Sequence, residues 1–182
     1  MQQTITGNAR LADDVEITVA IHDRRWHDLL PNISVFCERI IRHVLKKHQA
    51  LWYHAEWANT PLEVACVMSN DLEVQRLNAR FRGQDKPTNV LSFEADPDGP
   101  QTHGAPRVLG DIILSLETLI REAAEQHKSL QDHTTHMLVH GTLHLLGLDH
   151  QHEQEAEAME QNEISVLQEL GIANPYQLQN RL

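Results

Sequence analysis

The stretch His140-Gly141-Thr142-Leu143-His144-Leu145-Leu146-Gly147-Leu148-Asp149-His150 reads as a helix that stops and turns. His140 and His144 stand four residues apart, one turn above each other on one helix face. Gly147 then supplies a residue that accepts left-handed backbone angles, the usual way to end a helix. Beyond that stop the chain can fold back and bring His150 to the same point. Three imidazoles meeting at one point form a metal site with its fourth position open, the arrangement of a catalytic rather than a structural zinc. A core helix whose histidines merely point outward explains Leu143, Leu145 and Leu146. It leaves the spacing of Gly147 and His150 unexplained.

Zinc proteases of this spacing carry glutamate after the first histidine, as the general base. Here that residue is Gly141. A metallopeptidase is therefore the second choice, with Asp149 or Glu153 left to serve as base. His133 and His136 continue the histidine stripe toward the N-terminus of the same helix. His136 rivals the trio as a fourth ligand, but a fourth protein ligand would close the open position. That favours a supporting or a surface role. Asp149 either orients a ligand histidine, accepts a proton or stabilises the loop.

Around this stretch the 182 residues suit one domain spanning 1–182, with 41% hydrophobic and 23% charged residues as in ordinary soluble proteins. The net charge of −11 argues against a general nucleic-acid binder, so an RNA substrate needs a local basic patch and a metal. Residues 1–14 lack the basic and apolar parts of a signal peptide. No apolar run approaches the roughly 18 residues of a membrane span. The expectation is a cytoplasmic protein with no membrane contact. Cys37 and Cys66 sit in apolar-patterned segments and read as buried thiols, with a disulfide left open as an alternative.

Period-two alternation predicts strands over Val15–Ile21 and Leu62–Met68. Helical spacing predicts one amphipathic helix from about 33 to 51, its outer residues including Glu38, Arg39, Arg42 and Lys46. Trp52 and Trp57 that follow either pack on the core or lie exposed. Asn70 with Glu73 resembles a capping box for a short helix whose Leu72, Leu77 and Phe81 face inward. That helix ends in a loop forced by Gly83 and Pro87, which carries Arg80, Arg82 and Lys86. A strand over 90–93 precedes a Pro/Gly-rich loop near 96–106, read as mobile. A strand over 108–114 is apolar enough to be covered on both faces, with a bulge at Gly110-Asp111. Ser115 is expected to cap a helix ending near 127. The histidine helix, about 131–146, and a last helix, about 153–170, complete the chain. On the last one Glu153, Glu155, Glu157, Glu160 and Glu163 read as a solvated face. The order gives an α+β (α/β) fold: a small mixed four-stranded sheet packed with about five helices, one of them a zincin-like metal helix.

Three segments together resemble the YbeY family of bacterial rRNA maturation factors: HGTLHLLGLDH at 140–150, FRGQDKPTNVLSF at 81–93, and Leu109-Gly110-Asp111-Ile112. They stand in the family's order, and the resemblance extends from Val15 to Tyr176. It implies a single-strand-specific, metal-dependent endoribonuclease acting in 16S rRNA 3′-end maturation and ribosome quality control. Its partners would be single-stranded RNA, 16S rRNA and the small ribosomal subunit. His140, His144 and His150 would hold one divalent metal, usually taken to be zinc, and Arg82 matches an arginine regarded as functionally important. Three neutral imidazoles leave the +2 charge uncompensated, which favours an anionic phosphate over a neutral amide and brings the pKa of bound water to about 7. Arg82 would then brace the phosphate as charge builds. A ribosome assembly factor with a structural metal is the non-enzymatic alternative.

Overall fold

The computed structural model describes residues 15–52, 61–96, 99, 105–149 and 152–177. In chain order these form β1 (Val15–Ile21), α1 (Arg25–Leu29), α2 (Ile33–Lys47), α3 (Gln49–Trp52), β2 (Leu62–Ser69), α4 (Asp71–Arg82), β3 (Val90–Glu94) and β4 (Arg107–Ser115). Then come α5 (Leu116–Glu125), α6 (Leu130–Leu145) and α7 (Glu153–Glu169). The four strands make one mixed sheet in the order β1-β2-β4-β3. The first three run parallel, and β3 closes one edge antiparallel to β4.

Alternation along the strands sends side chains to two unequal cores. Val64, Cys66 and Met68 of β2, with Ile112 and Leu114 of β4, enter the larger one, where α2, α6 and α7 contribute Ile40, Ile41, Leu138, Leu143, Val166 and Leu167. Ile113 and Leu91 point the other way and meet Val74 of α4 in the smaller one. β4 is thus covered on both faces. Gly110 carries the expected bulge, where the pairing with β2 skips a residue after Glu63. Its φ is 145°, and a Cβ there would lie 2.2 Å from the carbonyl oxygen of Phe93. No side chain fits.

The helices depart from expectation in four places. The long first helix is two, because His48 leaves helical angles before α3. A five-residue α1 precedes it, too short for periodicity to reveal, and pinned by Trp26 Nε1 donating to the Ser69 carbonyl at 2.9 Å. On α4, Leu72 and Phe81 are exposed; Val74 and Asn78 are the buried pair, one turn apart, with Leu77 beside them. Ser115 does not cap α5. Its hydroxyl donates to Asp71 Oδ1, and that same carboxylate accepts from Thr118 N at 3.0 Å, so α4 caps α5. Asn70 Oδ1 does cap α4, accepting from Glu73 N at 3.1 Å. Trp52 is buried, and both cysteines are buried and unbridged. Trp57 and most of the loop near 96–106 lie outside the described residues. No described helix is long and apolar enough to cross a membrane.

Candidate metal centre

Helix α6 is buried on most sides, with Met137, Leu138, Val139, Thr142 and Leu143 packed between the sheet and its neighbouring helices. Ser129 starts it, its hydroxyl accepting from Asp132 N at 2.9 Å. Gly147, at φ 81°, ends it. Gly147 N donates to the His144 carbonyl at 2.9 Å and Leu148 N to the Leu143 carbonyl at 3.2 Å. These paired bonds are those of a Schellman stop, the turn the glycine spacing predicted.

Just before that stop, the rings of His140 and His144 stand 4.6 Å apart, nearly edge to face at 81°. His140 Nδ1 lies 2.6 Å from Oε1 of Glu163 on α7. A carboxylate there holds the proton on Nδ1 and leaves the lone pair on Nε2, the state a metal ligand needs. The donor chemistry and the adjacent, edge-to-face pair fit a divalent ion. His150 lies outside the described residues. Among the described residues no three His, Cys, Asp or Glu side chains are grouped to hold an ion.

Glu163 overturns its expected place on a solvated face. It is 1% exposed. Its Oε2 meets His136 Nε2 at 3.0 Å and accepts from the Tyr176 hydroxyl. Burial acts to raise its pKa, but the hydrogen bonds from His136 and His140 prevail and hold it at about 2. Burial also lowers the pKa of His136. At neutral pH Glu163 is therefore an anion held by hydrogen bonds more than by ion pairs. The sequence carried a signal: Glu163 shares the helical spacing of Met159, Val166 and Leu167, all buried. His136 is likewise buried, which excludes a surface role. His133, at the top of the stripe, meets Glu122 Oε2 at 2.8 Å instead.

Arg82 ends α4 and is exposed; its Nη2 donates to the Ser92 carbonyl of edge strand β3 at 3.1 Å. Among the described residues it makes no hydrogen bond or ion pair to the histidines. Its loop is firmly built. Gly83, at φ 68°, closes α4, Asn78 Nδ2 donates to the Lys86 carbonyl at 2.8 Å, and Asn89 Nδ2 to Glu122 at 3.0 Å. On the other side of β3, Gly141 of α6 lies against the sheet. A Cβ there would come 2.9 Å from Ile112 Cγ2 and 3.1 Å from Ser92 Oγ. An acidic side chain at 141 has no room. At the end of β3, burial and the nearby Asp149 carboxylate push the Glu94 pKa up.

The model of the family described as endoribonuclease YbeY matches residues 25–171. The chain belongs to the YbeY family of endoribonucleases. It is 55% identical over 127 residues to the endoribonuclease YbeY of Magnetococcus marinus, covering 66% of this chain and 86% of that one. The YbeY of Rhizobium johnstonii is 43% identical over 172 residues, 92% of this chain and 96% of its own. A solution structure of a Thermotoga maritima protein aligns at 22% identity and a TM-score of 0.46, over 85% of this chain and 91% of that one. Enzymes named YbeY endoribonuclease are hydrolases of RNA.

Proposed function

We propose that this chain is a metal-dependent endoribonuclease specific for single strands, acting on 16S rRNA in 3′-end maturation and ribosome quality control in the cytoplasm. His140, His144 and His150 would hold one divalent ion, most simply zinc. The observation that carries the reading is the carboxylate of Glu163 on His140 Nδ1. A buried anion that fixes one imidazole tautomer suits a ligand histidine better than a core histidine.

When bound, the ion supplies Lewis acidity toward a phosphate oxygen and acidifies water. The chain's own residues do the rest. Glu163 orients His140, and His136 and Tyr176 hold Glu163. Arg82 has five N–H donors and uses one hydrogen bond on Ser92, so its fork can take two phosphate oxygens as charge builds. Gly141 packs too closely against the sheet to be exchanged for a general base, so a peptidase would depend on Asp149 or Glu153.

Elemental analysis of the purified protein, with cleavage of single-stranded and duplex RNA before and after chelation and zinc re-addition, tests this. One metal per chain and chelator-sensitive cleavage of single strands are expected. Undiminished cleavage by metal-free protein would overturn the metal's role.

A further inference from the structure

A second feature is a groove of about 690 Å³ between α2, the start of α6 and the end of α7. Arg39, Arg42, His43 and Lys46 line one wall, spaced along one face of α2. The acidic side chains on the groove are Asp132 and Glu169. Glu169 is already engaged by His43 at 2.9 Å and by Lys47, and Arg42 pairs with Glu38 at 2.8 Å. Arg39 and Lys46 are exposed and make no ion pair among the described residues. Cations thus outnumber carboxylates here, in a chain with 15 Lys and Arg against 26 Asp and Glu. Phe36 and Ile172 give the groove an apolar lining beside the charges. A smaller adjoining hollow of about 220 Å³ shares Asp132 and Ile172 and adds Lys128.

We propose that this groove holds the phosphate backbone of single-stranded RNA beyond the cleavage point. The inference rests on the endoribonuclease reading. It supplies the local basic patch that a substrate polyanion needs on a protein of net charge −11. The two sites share α6: Thr135 lines the groove, five residues and about 7.5 Å of helix rise before His140 but about 140° round the helix axis. A strand seated at the histidines reaches α2 only by passing round the helix. The phosphates contact Arg39 and Lys46, and a base can lie on Phe36.

The test is fluorescence anisotropy of a labelled single-stranded RNA of about 30 nucleotides, titrated with the full chain in chelator between about 50 and 200 mM salt. Arg39→Glu/Lys46→Glu is compared with Arg24→Glu/Arg121→Glu, which changes the charge equally elsewhere. The groove variant is expected to lose about tenfold in affinity and to flatten the log–log salt slope by about 1.4, while the control changes little. With zinc-loaded enzyme the same variant should raise KM for the long RNA and leave kcat unchanged. Affinity and slope equal to the control overturn the proposal. Wild-type protein that cleaves RNA under that outcome keeps the nuclease reading; wild-type protein that neither binds nor cleaves RNA overturns both.

Discussion

Glu163 reaches from α7 to α6 and sets its Oε1 2.6 Å from Nδ1 of His140. The second carboxylate oxygen is shared by His136 and Tyr176, so one buried anion on α7 ties Tyr176 to two histidines of the helix that carries the candidate ligands. Glu163→Gln keeps the shape and removes the charge. We expect zinc affinity to fall by about 10- to 100-fold, read by competition with a chromophoric chelator. Unchanged affinity would show that the carboxylate has no hold on the metal.

The same residue sets a pH dependence. Its pKa is about 2 in the folded chain against an ordinary 4.5, so its stabilising contribution is present above about 4.5 and is lost as the pH falls toward 2. In urea unfolding of metal-free protein at stepped pH, the margin of wild type over Glu163→Gln should shrink across that interval. A constant margin would contradict the assignment.

Arg82 is exposed and holds one backbone carbonyl, so Arg82→Ala should change stability by no more than about 1 kcal/mol. Metal content should be intact. As a donor to developing phosphate charge, its loss should lower kcat by about 10²- to 10³-fold. Single-turnover cleavage equal to wild type would remove Arg82 from the catalytic machinery.

At Gly141, alanine gains about 1 kcal/mol of helix propensity. Against this, the added methyl meets the fully buried Ile112, and overpacking of that kind costs about 1–3 kcal/mol. Gly141→Ala should therefore lower Tm, and Gly141→Glu should fail to fold while gaining no peptidase activity. A raised Tm for Gly141→Ala would show that the sheet can give way.

The strands, the helix stop at Gly147 and the bulge at Gly110 were legible because each follows from local rules of period, backbone angle or side-chain volume. Glu163 was hidden by its chemistry. A glutamate on a glutamate-rich helix reads as solvated, and only the partner histidines on another helix make its burial tolerable. Asp71 was hidden likewise: Ser115 satisfied the local rule for a cap, but a residue 47 positions before Thr118 does the capping. Leu72 and Phe81 misled by hydrophobicity alone, for the face that packs on the sheet is set by Val74 and Asn78. Arg82 and the histidines were found as separate motifs; no local rule says how the sheet edge lies between them.

The most direct test of the metal centre is zinc stoichiometry by elemental analysis of wild type and His144→Ala, each with a folded circular dichroism spectrum. About one ion per wild-type chain and a large loss in the variant are the expected result for a tetrahedral histidine site. Equal metal content in both, or none in active wild-type enzyme, would contradict it.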